Sequence, residues 1–349
     1  MRVSGILPHR GGGGREHVSA RRRWLLVALG GALALAGCGR QSTLDPQSDP
    51  ARQIATAWWI MLVVATVVFA GACFWLVLAW ARREPGLPFV GERESVANGL
   101  VLAFGIAIPS VILIALFVYG NVGVIRHTDA PPASSTAMTV EVVGNQWWWR
   151  VIYPGTAAVT ANEIHIPART RVSVVTRSDD VIHSFWVPQL NRKVDSLPGH
   201  PNRVLLYADK PGVYRGQCAE FCGPQHAHMA MTVYADPPDR FRAWLANMAR
   251  PRVAPVTPEA RRGEQVFLAN QCASCHTIRG TSAKGLIGPD LTHLRDRQTL
   301  AALTIPNRPR ELAAWIRDPQ NAKPDNKMPT LNLSAPDARA IVDYLETLR

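Results

Sequence analysis

The sequence predicts a multidomain chain: a two-helix transmembrane hairpin, an all-β sandwich and an all-α C-terminal domain. Three observations predict it. Two runs without a charged side chain, 54–80 and 96–125, are each long enough to cross a bilayer as a helix. From 139 to 234 the pattern changes to short alternating runs such as 139–143, 171–176 and 203–207. Pro, Gly, Asn and Asp turns separate them, as in a sandwich or barrel. Beyond 257 the chain reads as helices near 258–270, 309–317 and 335–348, joined by loops. No internal repeat is visible.

Residues 1–37 read as a lipoprotein signal peptide. Arg21, Arg22 and Arg23 precede an apolar core, 24–36. The segment ends Leu35-Ala36-Gly37-Cys38, which resembles a bacterial lipobox with Cys38 as the lipidated first residue. The alternative is an ordinary export signal with an incidental cysteine. Net charge is +12, and removal of the leader's six arginines and one glutamate leaves about +7. That balance fits membrane lipid or acidic partners. No nucleic acid is expected, because no Lys/Arg run with interleaved aromatics occurs outside the leader.

Residues 38–130 form the membrane anchor. The connector between its helices carries Arg82, Arg83 and Arg93 beside Glu84, Glu92 and Glu94, while the outer flanks offer Arg52 and Arg126. The Lys/Arg bias places the connector in the cytoplasm and both ends outside. Pro109 is expected to kink the second helix, which a membrane helix tolerates. Cys73, in the middle of the first, reads as a small apolar filler. Residues 131–250 comprise a linker, the strands and a short amphipathic helix near 239–250. A second linker, 251–258, leads to the last domain, 257–349.

Four further cysteines fall into two close pairs with histidines nearby, a metal or haem signature before a disulfide one. In Cys218-Ala-Glu-Phe-Cys222-Gly-Pro-Gln-His226-Ala-His-Met229, two thiols, an imidazole and a thioether lie within twelve residues. Soft thiolates with imidazole select copper or zinc, and a methionine tilts the choice to copper. Two cysteines four apart in a loop can bridge two copper ions through both sulfurs. Such a pair needs a second imidazole, and His183, opening a strand upstream, is the natural donor. A Cys-x3-Cys disulfide and a zinc site are the alternatives, and His228 competes with His226 as ligand.

Cys-x-Glu-x-Cys-x3-His-x2-Met, with an upstream His183-Ser-Phe-Trp-Val-Pro, resembles the copper domain of cytochrome c oxidase subunit II over roughly residues 50–245. The resemblance implies a cupredoxin-like Greek-key sandwich holding two copper ions on rigid loops. The implied ligands are His183, Cys218, Cys222, His226, Met229 and the backbone carbonyl of Glu220. It also implies that Trp147, in the aromatic strand Asn145-Gln146-Trp147-Trp148-Trp149, is where electrons arrive. The other reading is that Trp147 and Trp149 share a strand face and pack the core. Glu220 and Asp195 match family acids near a non-redox Mg or Mn at the interface with subunit I. His228, His165 and His200 read as surface residues or hydrogen-bond donors to ligands. One position departs from the pattern. Where the family often has a glutamate serving proton uptake, this chain has Leu102, with Glu94 two turns earlier.

Cys272-Ala-Ser-Cys275-His276 is the covalent haem c attachment pattern: two thiols for the vinyl groups and a proximal histidine. A redox Cys-x-x-Cys would need a βαβ setting, which is absent. With Gly288-Pro289 and Lys327-Met328-Pro329 downstream, the region looks like a class I cytochrome c. For the second axial ligand the chain offers Met328 and His293 after Cys275. His293 follows too closely to reach the opposite face, so Met328 is expected.

These resemblances imply an electron-transfer subunit of a respiratory cytochrome c oxidase. The expected partners are subunit I and subunit III, with cytochrome c or the bc1 complex as donor. A copper-bearing nitric oxide reductase subunit would use the same path. A free-standing carrier would not need two membrane helices, and a copper-delivery protein would not need haem.

Overall fold

The computed structural model describes residues 41–82, 94–130 and 132–349. The signal segment, Cys38, the connector charges Arg83, Glu84, Glu92 and Arg93, and Pro131 lie outside the described residues.

Helix α1 spans Asp49–Ala81 and starts a turn before the uncharged run. Ser48 explains the early start. Its hydroxyl accepts the Ala51 N–H, Pro50 pre-sets the first turn, and Asp49 sits at the positive end of the helix dipole. The same hydroxyl donates to the Leu190 carbonyl, and the Gln47 N–H donates to Gln189 O at 2.8 Å. The helix is thereby tied to the β region at its first residue. Helix α2 runs continuously from Glu94 to Thr128. Pro109 does not end it. Proline lacks the N–H for the bond four residues back, and the backbone widens into a π turn at Ala103–Ala107, just before it. A second wide stretch covers Tyr119–Ile125. Both helices are long and apolar enough to cross a membrane, and their most apolar stretches hold no buried residue.

Ten strands of the β region form two five-stranded sheets. They are β1 (Met138–Asn145), β2 (Trp148–Ile152), β3 (Val159–Ala161), β4 (Glu163–Pro167) and β5 (Val172–Ser178), followed by β6 (His183–Trp186), β7 (Val194–Ser196), β8 (Asn202–Leu206), β9 (Gly212–Cys218) and β10 (Ala230–Asp236). The orders are β3-β2-β1-β5-β8 and β4-β10-β9-β6-β7. β1 with β5 and β10 with β4 are parallel, and the other pairs are antiparallel. Alternate residues such as Val140, Val142, Ile164, Val172, Val174 and Met231 fill the space between the sheets. This is the expected cupredoxin-like sandwich. Helix α3 (Pro238–Met248) packs Phe241 and Met248 into the same core.

The C-terminal region is helical: α4 (Pro258–Ala269), α5 (Cys272–Cys275), α6 (Pro309–Arg317), α7 (Pro319–Ala322) and α8 (Ala335–Leu345). Thr257 and Ser334 cap α4 and α8 through their hydroxyls. The two helices cross, with the Phe267 and Tyr344 rings edge to face at 6.0 Å. Helix α8 stops three residues before the expected end, although Leu348 remains buried in this second core.

Candidate metal and haem sites

β6 lies beside β9, with Phe185 opposite Cys218, so the first residue of β6, His183, meets the last residue of β9. The loop from Cys218 to β10 then turns back over the same spot. The Cys218 and Cys222 sulfurs are 3.9 Å apart. His183 Nδ1 lies 3.9 Å from Cys218 Sγ, His226 Nδ1 3.6 Å from Cys222 Sγ, and Met229 Sδ 3.7 Å from Cys222 Sγ. The Glu220 carbonyl accepts from Cys218 Sγ at 3.2 Å. All six expected donors therefore gather around the two sulfurs: His183 and the Glu220 carbonyl at Cys218, His226 and Met229 at Cys222. His183, Cys218, Cys222 and Met229 are buried, while His226 is half-buried.

Asp180 orients His183. The ring Nε2 donates to Asp180 Oδ1 at 2.8 Å, which leaves the Nδ1 lone pair facing the sulfurs. Burial works against ionisation of both groups. The pairing prevails, holding Asp180 well below the usual carboxylate range and raising His183. The Gln146 N–H also donates to Asp180, at 2.7 Å. Gly144 is required here, because a Cβ on it would stand 2.6 Å from His183 Cδ2.

The donor chemistry fits copper. The two cysteines stand as free thiols, 3.9 Å apart rather than at the roughly 2 Å of a disulfide. The neighbouring Cys222 thiol and His183 lower the Cys218 pKa, while the same pairing raises that of Cys222. Two thiolates this close repel, and a bound cation removes that conflict. Two thiolates, two imidazoles, a thioether and a carbonyl suit copper better than zinc, which favours a plain tetrahedron of sulfur and nitrogen. The other histidines stand apart. His228 is exposed and pairs with Gln225 Oε1 at 2.7 Å. His165 pairs with Asp236 at 2.7 Å, between the Tyr234 and Trp244 rings. His200 is exposed on the surface.

Trp147 corrects an expectation. It lies not on a strand but in the two-residue turn between β1 and β2, whose register pairs Asn145 with Trp148. It shares no strand face with Trp149, which packs against the His183 and Phe185 rings. From the turn, Trp147 Nε1 donates to the Cys222 carbonyl at 2.9 Å, and Gln146 Nε2 donates to the same oxygen at 2.8 Å.

Cys272, Cys275, His276 and Met328 line one cavity, walled by apolar residues including Phe267, Leu291, Leu312 and Ile341. α5 is a single turn that brings both thiols to one side. His276 Nδ1 donates to Pro289 O at 2.8 Å, freeing Nε2 as a ligand, and the apolar surroundings lower the ring's pKa and keep it neutral. Gly288 permits this approach, since a Cβ there would stand 2.4 Å from His276 Cε1. His293 is buried with Nε2 donating to Arg250 O at 3.0 Å, and it is absent from the cavity wall among the described residues. The hollow and its thiols fit covalent haem with His276 and Met328 on it.

The cavity wall also includes Trp147, Trp148 and Lys323. The haem cavity and the copper loop thus share Trp147. Glu163 of β4 crosses the same junction, accepting the N–H groups of Gln298 (2.8 Å) and Thr299 (3.2 Å). Burial pushes its carboxyl up to about 7. Sequence reasoning missed Asp180, Gln146, Pro289, Glu163 and Lys323. Only Asp180, three residues before His183, carried a signal, as an acid spaced to hold a histidine.

A family model described as cytochrome c oxidase subunit II, periplasmic domain, matches residues 155–235, and one described as cytochrome c matches 260–349. Cytochrome c oxidase subunit 2 of Alkalihalophilus pseudofirmus is 34% identical over 328 residues, covering 91% of this chain and 94% of that relative. The Bacillus subtilis protein of the same description is 27% identical over 352 residues, covering 94% and 98%. Among solved structures, the periplasmic domain of cytochrome oxidase subunit II of Bradyrhizobium japonicum is 28% identical. It covers 33% of this chain and 94% of its own, with a TM-score of 0.32.

Proposed function

Because the chain belongs to the cytochrome c oxidase subunit 2 family, we propose that it relays electrons from a donor, through haem c in the C-terminal cavity, to a two-copper centre and on to subunit I. Membership makes it an electron-transfer subunit of a haem–copper oxidase, membrane-anchored with a periplasmic domain, binding copper and haem and partnered with subunit I. Bound haem and copper supply the one-electron chemistry, and the protein supplies position and environment.

One observation carries the path. The Trp147 indole bonds to the backbone of a copper-loop cysteine and also forms part of the haem cavity wall. His183, Cys218, Cys222, His226, Met229 and the Glu220 carbonyl would hold two coppers. Cys272 and Cys275 would attach the haem, and His276 and Met328 would ligate its iron. The test is rapid photoreduction of haem in the purified full chain, followed at the copper absorption. Copper reduction should track haem oxidation, and Trp147→Gln should slow it with both cofactors retained. Copper reduced equally fast in a Cys272→Ala, Cys275→Ala chain would overturn the order.

The domain layout is 1–37 signal, 38–130 anchor, 131–250 copper domain and 257–349 cytochrome domain. Both helices span the membrane, with both metal domains outside and a lipid on Cys38. Mass spectrometry of the mature N-terminus checks the last point, and an unmodified terminus upstream of Cys38 would refute it. Asp195 and Glu220 are proposed to hold Mg or Mn against subunit I. In support, Asp195 pairs with Ser184 across β7 and β6, whose carbonyl takes the Ala219 N–H at 2.9 Å, so both exposed acids sit at one corner. Subunit III and cytochrome c or the bc1 complex complete the proposed assembly.

A further inference from the structure

The segment leading into Met328 and the copper loop hold each other by their backbones. Lys323 caps the end of α7, five residues before Met328. Its side chain is 3% exposed, on the wall of the haem cavity. Its ammonium donates to Trp147 O at 2.7 Å, His228 O at 2.7 Å and Ala301 O at 3.3 Å. An ammonium has three N–H groups, and all three are used. The bond is reciprocated. Gln225, buried between Cys222 and His226, donates from Nε2 to Pro324 O at 2.6 Å.

Each of these partners is a neutral carbonyl. Burying a lysine among neutral groups is expensive, and burial lowers its pKa to about 7. A well-packed apolar side chain could hold two surfaces together without that penalty. What the ammonium adds is direction. It fixes the Trp147 backbone while the Cys222 carbonyl fixes the Trp147 indole, so the ring is held at both ends between cavity and copper loop.

Resting on the electron-transfer reading above, we propose that Lys323 is a positioning residue for electron exchange between the haem cavity and the copper loop. Its three hydrogen bonds set the distance and orientation of Trp147 relative to both. Removing the ammonium leaves the carbonyls of Trp147 and His228 without their donor and frees the turn to shift.

The test uses the full chain loaded with haem and copper, comparing wild type with Lys323→Met and Lys323→Gln. Methionine keeps the length and loses every donor, whereas glutamine keeps two N–H groups without the charge. The haem-to-copper rate after photoreduction should fall roughly tenfold or more in Lys323→Met, as expected for a small misplacement between reacting groups. Lys323→Gln should recover most of the rate, with haem and copper content unchanged in both. A wild-type rate in Lys323→Met would overturn the role. Equal slowing in both variants would also overturn it, because the hydrogen bonds would then not set the rate. Cofactor loss in both variants would assign Lys323 to the fold instead. Absence of haem-to-copper transfer in wild type would instead sink the electron path itself, so the two failures are distinguishable.

Discussion

Five of the six proposed copper donors come from one twelve-residue loop, whereas the four proposed haem contacts are spread from Cys272 to Met328. The copper loop is already closed. Its sulfurs sit 3.2 to 3.9 Å from their neighbours, buried at the end of two paired strands. The haem contacts instead surround a hollow with apolar walls contributed by both the helical and the β regions. A site pre-formed on a rigid sandwich should lose its metal without losing its fold. A module whose core is completed by its prosthetic group should not survive that group's removal, because a large apolar cavity is left behind.

That contrast sets the largest expected effect. Cys272→Ala with Cys275→Ala should remove haem and abolish the thermal transition of the helical module, with copper retained. Cys218→Ser should remove the copper signal and leave the sandwich transition nearly unchanged. Calorimetry with metal analysis checks both, and the opposite pattern would break the comparison. Next, Met328→Leu should keep haem but remove the weak near-infrared sulfur-to-iron band of the ferric protein, while His293→Ala leaves it. Loss of the band in His293→Ala alone would reverse the ligand assignment.

The junction between the regions should depend on pH through Glu163. Burial raises its folded pKa to about 7 from an ordinary 4.5, so the folded state holds the proton more tightly. Its contribution is fully present below pH 4.5 and is lost as pH rises through about 7. Glu163→Gln should therefore remove up to about 3 kcal/mol of pH dependence between pH 5 and 8. Denaturant titrations at the two pH values measure it, and parallel curves for both proteins would contradict it. The smallest expected effect is at Asp180. Asp180→Asn keeps the shape around His183 but weakens the acceptor that aims its ring, and copper affinity should fall about 10–100-fold. Competition with a chelator reads that change, and an unaltered affinity would show that Gly144 and the strand pairing suffice to aim the ring.

Much of this was legible because it is local. An uncharged run long enough for a bilayer must become a helix there, since no water is present to satisfy an open backbone. Alternation of period two marks strands, and the copper loop and Cys-x-x-Cys-His write their donors within a few residues of one another. His183 is legible as a candidate because a strand start upstream of the loop is a natural place for a second imidazole. Trp147 was misplaced because three tryptophans in a row read as one strand, and only the pairing of Asn145 with Trp148 shows the turn between them. Helix α1 starts before the uncharged run because absence of charge marks the membrane core, whereas Ser48 and Pro50 mark the helix start.

The sequence by itself determined the module types and two helices long and apolar enough for a bilayer, and it pointed to the proposed donors, because each is encoded by composition or by spacing along one short segment. Only the tertiary structure decided which residues stand between the two sites. Lys323 and Trp147 are 176 positions apart, and Glu163 lies 135 from the Gln298 it caps. No period or motif encodes such pairs. They follow from two separately folded surfaces meeting, where each buried polar group must find its partner on the other side.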